Sequence, residues 1–355
     1  GADGSGELVL NSDGATLTTD QTANDTEAAE IPNVRLEDEA VLGSNVGVAE
    51  RLVVNAGDRT ASGGNPGVEL GSNDLEASGQ IVLNASTNGS DVGTPRAVGD
   101  PGADDGVFRV SNATITVNEG GSADQAISRL EVEGSQDVTI ESATDGESRS
   151  LYVVADLALS TTGGNLDHGI NDIVLPGVGQ TDLSSGDPSL IVNDPDGSAG
   201  NIVSESGELF LVAVGGGRGA PILELNRDVS IDRLATDFTG NPTDASPSVS
   251  DLGAEGQSLT VEERLSLDAE FDNSDSNTDD NELIIADGAT IERTEGTDGS
   301  ESFSDSDPLE AVPTFAGSVN LEYNTASGSA DYTSGREVPS EGSDASIANV
   351  GVDVG

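Results

Sequence analysis

Apolar residues occur along this chain in short runs of about four to seven, rich in Val, Ile, Leu and Thr, and most runs end in Gly, Asn, Asp or Ser. Apolar and polar positions alternate within the runs, as in RLVVNAG (51–57), VFRVSNATITVNEGG (107–121) and PILELNRDVSIDRL (221–234). Alternation with a period of two is typical of β-strands, and Gly with Asn or Asp supplies tight turns. The pattern therefore predicts an all-β protein, and we find no convincing amphipathic helix longer than about two turns.

Internal repeats narrow the choice of architecture. The strand spacing suits antiparallel β-sandwiches and parallel β-helices equally. However, VAERLVVNA (48–56) and VEERLSLDA (261–269) share Val, Glu, Arg, Leu and Ala at matching places, and GELVLNSDGATLTTD (6–20) is a near copy of NELIIADGATIERTEG (281–296). Degenerate repeats are expected when each unit supplies only strands and turns to a stack.

We therefore predict a parallel β-helix, or β-solenoid, with polar loop excursions. Val, Ile and Leu at alternate positions would fill the interior, with Asp, Glu and Thr outside. The alternative is a set of tandem antiparallel β-sandwiches, most plausible for the middle of the chain. The repeats divide the chain into an N-terminal solenoid repeat (1–86), a divergent all-β middle region (87–250) and a C-terminal solenoid repeat (251–355).

The segment NELIIADGATIERTEG predicts a shape rather than a site. Its Asp287-Gly288 turn lies between the apolar residues Leu283 and Ile285 and the next apolar residue, Ile291. This order indicates one coil of a solenoid closing and the next beginning.

The charge of the chain is extreme for its 355 residues. It carries 66 acidic and 13 basic residues, all of the latter Arg, for a formal net charge of −53. The acidic side chains of such a surface repel one another strongly at ordinary ionic strength. The repulsion is much weaker near ~1 M salt, where the screening length falls to ~3 Å. The composition indicates a salt-adapted protein and excludes nucleic acid as a natural partner. Disorder is disfavoured because the 34% hydrophobic residues lie in alternating runs.

The absence of Cys and of Met bears on the chemistry and on the origin of the chain. There is no Cys, so disulfides and thiolate sites are excluded, and no Met, not even at position 1. We therefore expect a processed form or a segment of a longer protein. No apolar run approaches the ~20 residues of a membrane-spanning helix, so we expect no membrane span in this chain.

The repeats resemble a known kind of protein. The order Leu-Gly-Ser-Asn-Val-x-Val, then x-Arg-Leu-x-Val-Asn-x-Gly, runs from Leu42 to Asp58, and a related order runs from Leu252 to Gly296. The tail at 317–355 adds a Ser-Gly-x-Glu-Val-Pro loop at 334–339. These motifs resemble the repeats of large secreted adhesin-like β-helix proteins of gliding-type bacteria, commonly type IX secretion cargo, in a halophilic version. The match covers about a third of the chain, and residues 87–250 match poorly.

That resemblance implies an extracellular or cell-surface location and a structural rather than catalytic role. No sorting domain follows residue 355, which suggests a segment of a longer protein or an end completed by a neighbouring molecule.

The sequence offers no catalytic set. His168, the only histidine, lies in a Gly-rich loop where we expect a surface residue, and with 66 acids carboxylate pairs carry no information. A structural zinc site is excluded without Cys and with one His. We assign no catalytic residue and no cofactor other than a weak Ca²⁺ candidate.

Two oxygen-rich loops are weak Ca²⁺ candidates, NDPDG (193–197) and DNSDSNTDDNE (272–282), although hydrated acidic turns explain them more simply. The residues that would contribute ligands are Asp194, Asp196, Asp272, Asp275, Asp279 and Asp280. The Asn-x-Ser/Thr triplet that accepts N-glycans occurs at Asn24, Asn84, Asn88 and Asn112. Such triplets also arise by chance, so they permit glycosylation without predicting it.

The leading functional hypothesis is a non-enzymatic extracellular structural protein of a halophilic microbe, a surface fibre or filament subunit or an adhesin stalk that self-associates end to end. The alternative is a β-helical polysaccharide-active enzyme or a virus tail or spike protein that binds surface glycans. A passive glycan-binding module is less favoured because aromatic residues are 3% of the chain and Trp is absent.

Overall fold

The computed structural model describes most of the chain. The described residues are 7–11, 16–18, 29–37, 40–55, 68–84, 96–99, 106–117, 125–144, 146–176, 189–193, 200–214, 221–239, 248–252, 257–268, 270–272, 282–294, 309, 311–325, 335–340 and 344–354.

The described residues form 27 β-strands and no helix, and every strand pair is parallel. The prediction of a parallel β-solenoid is therefore confirmed. The strands are β1 (Leu8–Asn11), β2 (Thr16–Leu17), β3 (Ala29–Glu37), β4 (Ala40–Leu42), β5 (Val46–Asn55), β6 (Val68–Glu69), β7 (Leu75–Leu83), β8 (Arg96–Val98), β9 (Phe108–Val117), β10 (Gln125–Gly134), β11 (Val138–Ser142), β12 (Ser150–Thr161), β13 (Leu166–Asp167), β14 (Asp172–Pro176), β15 (Ser189–Val192), β16 (Ile202–Val203), β17 (Leu209–Val214), β18 (Ile222–Leu225), β19 (Val229–Thr239), β20 (Ser248–Leu252), β21 (Ser258–Leu267), β22 (Glu270–Asp272), β23 (Glu282–Ile285), β24 (Thr290–Thr294), β25 (Thr314–Phe315), β26 (Ser318–Thr325) and β27 (Ser346–Val354).

The pairings arrange these strands in three ladders that run along the solenoid. Ladder A contains β1, β3, β5, β7, β9, β11, β13, β16, β19, β21, β23 and β25. Ladder B contains β2, β4, β6, β8, β10, β12, β14, β17, β19, β21, β24, β26 and β27. Ladder C contains β3, β5, β7, β9, β10, β12, β15, β18, β20 and β22. Long strands appear in two ladders because they bend from one face to the next.

The bends are visible as register shifts within the long strands. In β7 the shift lies between Ala77 and Gly79, and Gly79 has φ +76°. A Cβ at Gly79 would also collide with the backbone oxygen of Glu50 in the coil below. The pairing places Asn112, with φ +47°, at the corresponding bend of β9. Gly and Asn are the residues that adopt this left-handed conformation at least cost.

The interior is a continuous column of stacked aliphatic side chains. Leu52, Ile81, Ile115 and Ile140 are successive partners in ladder A, and none is more than 1% exposed. One hydrophobic cluster extends in this way from Leu17 to Leu321. Burial of each such side chain contributes about 1.5–3 kcal/mol, so the column is the main source of stability.

The strands that flank the two copies of the Asp-Gly-Ala-Thr segment lie in the same two ladders. β23 and β24 are not a hairpin; both lie parallel on β21, one in ladder A and one in ladder B. β1 and β2 repeat this arrangement on β3 and β4. Leu283, Ile285 and Ile291 are all buried, which confirms that the segment closes one coil and begins the next.

The ladders continue through the region from 87 to 250. β7 pairs with β9 across the first proposed boundary, and β19 pairs with β21 across the second. The alternative of tandem antiparallel sandwiches is therefore wrong for the described residues, because a poorly matching sequence still supplies alternating apolar positions to the same stack. The boundaries mark changes in sequence similarity.

Side chains at the turns also stack from coil to coil. The Oδ1 atoms of Asp137, Asn165 and Asn201 accept hydrogen bonds from the backbone N–H of Asn165, Asn201 and Ser230, at 2.8, 2.9 and 3.1 Å. Each acceptor therefore fixes the position of the turn in the next coil. This explains why Asn and Asp are frequent at the strand ends.

Candidate functional site

Most of the Ca²⁺ candidates lie outside the described residues. This holds for Asp194, Asp196, Asp275, Asp279 and Asp280, while the backbone of Asp272 ends β22 and its side chain is outside the description. Within the described part of the chain, no group of three or more His, Asp and Glu side chains could hold a metal ion. The Ca²⁺ hypothesis stays a prediction.

The four glycosylation candidates are divided in the same way. Asn24 and Asn88 lie outside the described residues. Asn112 is exposed at the bend of β9, whereas Asn84 is half-buried and donates from Nδ2 to Oδ1 of Asn55 in the coil below, at 3.1 Å. Of the two described residues, Asn112 is the one whose side chain is open to solvent.

His168 is fully buried, so the expectation of a surface residue is wrong. The turn that follows β13 is covered by the next coil: the N–H groups of Glu205, Ser206 and Gly207 all point to the carbonyl oxygen of Gly169. From sequence alone, a Gly-rich turn is expected to be exposed. In a solenoid, however, the turns of successive coils stack on one another, so such a turn can be covered.

The His168 ring is held in one tautomer. Its Nδ1 lies 2.6 Å from the carbonyl oxygen of Asn171, which can only accept, so Nδ1 carries the proton. Nε2 is buried and has no hydrogen-bond partner among the described residues. Burial lowers the pKa of His168, against the opposing effects of the Asn171 carbonyl and of Asp167 and Asp232. A neutral, buried ring of this kind is part of the packing between coils.

Two arginines on the outside gather carboxylates from different coils. Arg264 forms ion pairs with Glu292 and with Glu322, the latter at 3.0 Å, and lies 3.8 Å from Glu208. Burial raises the pKa of Glu208, and Glu292 adds to the shift although the Ser266 hydroxyl and Arg264 oppose it. One guanidinium thus serves three acids.

Arg109 forms the second cluster of this kind. It pairs with Asp74, with Glu131 at 2.9 Å and with Glu133 at 3.4 Å. Burial raises the pKa of Glu133, and repulsion from Glu131 adds to it. Both clusters connect coils and retain more negative than positive charge, which favours an electrostatic bracing role that depends on added cations for screening.

β27 is the last strand of ladder B in the described part of the chain. β27 pairs with β26 along one side, with Leu321 opposite Val350 and Tyr323 opposite Val352. The described residues supply no strand to its other side. Val350 and Val352 are 61% and 64% exposed, although the residues below them in the same ladder belong to the interior. Ile347, at 41%, extends this apolar surface.

The first described strand of ladder A, β1, is exposed in a similar way. Leu8 and Val9 in β1 are 38% and 44% exposed, and Leu8 is paired with the buried Val34. Glu7 lies between Arg35 and Arg51, at 3.2 and 3.3 Å. Each end of the described solenoid therefore has a strand with exposed apolar side chains and one edge that no described strand covers, a feature that favours pairing with another strand.

The sequence contained part of the signal for these features. The alternation in ELVLN and IANVGVDV indicates an apolar face on each of these strands, while their exposure is visible only in the structure. The arginine clusters do not follow from the alternation, because Arg264 meets acids 28 and 58 residues away and the coil length varies.

No helix in the described part of the chain is long and apolar enough to cross a membrane. Comparison with protein-family models, with curated proteins and with solved structures finds no match to this chain. The resemblance to adhesin-like β-helix proteins therefore stays a prediction carried by the repeat motifs.

Proposed function

We propose that the protein is a non-enzymatic structural rod at the surface of a halophilic microbe, a fibre or filament subunit or an adhesin stalk, which associates end to end with further copies. The observation that carries the proposal is the open edge of β27. A parallel strand added there would bury Val350 and Val352 and continue the ladder.

The partner strand in this proposal is ladder B of a second copy. Ladder B begins at β2 among the described strands and ends at β27, and all its strands are parallel. A head-to-tail contact would place β27 of one copy beside β2 of the next with the same polarity. Such a contact uses two different surfaces and leaves a free end on each copy, so it produces a filament rather than a closed dimer.

Burial of the two valines supplies a driving force of about 1–2 kcal/mol each, given their present exposure. The repulsion between two copies that each carry a net charge of −53 opposes it. Screening at molar salt removes most of that repulsion, because the screening length falls from ~8 Å to ~3 Å. The proposal therefore requires assembly to increase with salt.

The extracellular location in this proposal is supported by the resemblance of the repeats and by the salt-adapted charge. The sharing of carboxylates from different coils around Arg109 and Arg264 also supports a structural role for these acids.

The test is sedimentation velocity in molar salt over a range of protein concentrations. Val350→Glu places a charge on the open edge and should convert concentration-dependent oligomers to monomers. Val312→Glu is the matched control, because Val312 is 61% exposed like Val350 but precedes β25. Equal behaviour of the two variants, or a wild-type protein that is monomeric at every concentration, would show that the β27 edge does not drive assembly.

A further inference from the structure

A charged side chain occupies the interior column near the C-terminal end of the described solenoid. Arg293 in β24 stands opposite Leu267 in β21 and Tyr323 in β26, and its side chain is 2% exposed. Leu267 and the alternate neighbour Ile291 are core residues. Arg293 is therefore an inward-facing residue in an aliphatic stack.

The partner of Arg293 comes from the segment 335–340, which lies between β26 and β27. The Glu337 carboxylate, 1% exposed, is 2.9 Å from Nη1 of Arg293. Its second oxygen accepts the backbone N–H of Gly335 at 2.9 Å, and the Tyr323 hydroxyl lies 3.5 Å from the first. The acid is thus held by three groups in the interior.

Neighbouring contacts fix the same segment. Arg336 donates from Nη1 to the carbonyl oxygen of Leu309 at 2.8 Å, and Val338 packs against the core cluster. Leu309 is itself buried and bridges to Phe271 at the end of ladder C. The segment therefore closes the interior on the side of ladder C, and Glu337 reaches across to ladder B.

We propose that Arg293 and Glu337 form a clasp that holds the segment 335–340 in the interior and keeps β27 aligned on β26, so that opening of the clasp releases this segment and β27 together while the coils below stay folded. The physical reason is the asymmetry of a desolvated ion pair. Removal of one partner leaves the other charge buried without compensation, whereas replacement of both by apolar groups is far better tolerated.

The clasp differs from the ion pairs on the surface. Arg233 and Glu263 lie 3.1 Å apart with side chains 25% and 49% exposed, so water and salt screen them. The clasp lies inside the solenoid, where salt does not reach, and its effect should persist between about 0.15 and 1 M salt. The inference is independent of assembly, although β27 also carries the edge proposed to pair with a second copy.

The test is hydrogen–deuterium exchange of the full chain, read on peptides that cover β27 and, as a reference, β9. Glu337→Gln removes the charge and keeps the size of the side chain. We expect exchange in β27 to become about 100-fold faster or more, the change that corresponds to the loss of one partner of a buried pair, with β9 unchanged. Glu263→Gln is the matched surface control and should change β27 less than about five-fold.

A double variant, Arg293→Met with Glu337→Leu, distinguishes the loss of one charged partner from the replacement of both partners by apolar side chains. It should recover most of the protection lost in Glu337→Gln, at low and at molar salt alike. Equal exchange in Glu337→Gln and Glu263→Gln would overturn the proposal. So would a loss of protection in Glu337→Gln that reaches β9 to the same extent, or a double variant as unprotected as the single one.

Discussion

Gly200 lies directly over Gly164 of the preceding coil, so close that a Cβ built on Gly200 would overlap the carbonyl oxygen of Gly164 and the hydroxyl of Thr161. Arg227 completes the contact from the following coil, because its Nη2 donates to the carbonyl oxygen of Gly200 at 2.8 Å. Three coils thus meet at one point where no side chain fits.

Substitution of Gly200 by Ala should destabilise the protein by about 3 kcal/mol, since the added methyl group would overlap a backbone carbonyl oxygen, which cannot rotate away as a flexible side chain can. The measurement is the midpoint of chemical unfolding in molar salt. Gly351→Ala is the control: a Cβ there would be 3.6 Å from the nearest atom, an ordinary contact, and the midpoint should hardly move. Similar losses in both variants would show that the contact between Gly200 and Gly164 is not tight.

The buried His168 predicts a dependence of stability on pH. Its pKa is lowered in the folded state by burial, so below the ordinary value of about 6.5 the unfolded chain binds more protons than the folded protein. The stability contributed by the neutral ring is complete above about pH 6.5 and is lost as the pH falls below that value. His168→Asn, which keeps a donor for Asn171, should weaken this dependence.

The comparison should be made as the difference in melting temperature between wild type and His168→Asn from pH 7.5 to 5. Subtraction is needed because Glu133, Asp156 and Glu208 have raised pKa values through burial and act in the opposite direction, adding stability as the pH falls. A difference that is constant across this range would contradict the buried, neutral state of the ring.

Replacement of Glu208 by a neutral residue is expected to stabilise the folded protein. The raised pKa of Glu208 means that the charged form is disfavoured in the folded state, chiefly by burial. Glu208→Gln should raise the melting temperature at pH 7, and the gain should shrink as the pH falls and the wild-type carboxyl takes up its proton. Glu224→Gln, at an exposed position of β18, is the control and should have little effect. A lower melting temperature for Glu208→Gln at pH 7 would refute the prediction.

Salt should be required for stability. The net charge of −53 and the excess of acids around Arg109 and Arg264 predict a lower melting temperature by circular dichroism after dilution from molar salt to about 10 mM, where the screening length reaches ~30 Å. Arg264→Met should lower the melting temperature more at low salt than at high salt, because the substitution leaves Glu208, Glu292 and Glu322 without their shared cation. A melting temperature independent of salt would contradict this view of the surface.

Much of the fold could be predicted because the solenoid is built from local rules. Alternation placed Leu283, Ile285 and Ile291 in the interior, and the Asp287-Gly288 turn marked the corner. The same alternation places Arg293 on the face of Ile291, so an inward-facing arginine could have been found from the sequence. Its acid could not, since Glu337 lies 44 residues away in a loop.

The contacts that depend on stacking could not be predicted. Coil lengths vary, so the sequence does not show that Gly200 lies over Gly164 or that the turn at His168 is covered by the turn at Gly207. A one-residue change in register reverses inside and outside along a strand. Contacts between coils follow only when the ladders are known.

If the open edge of β27 joins copies into a rod, the rods should be visible directly. The most direct measurement is negative-stain electron microscopy of the protein at high concentration in molar salt, with lengths measured particle by particle. We expect rods whose lengths are multiples of a single unit and which shorten to that unit for Val350→Glu. Single units of one length at every concentration, with no end-to-end contacts, would contradict this expectation.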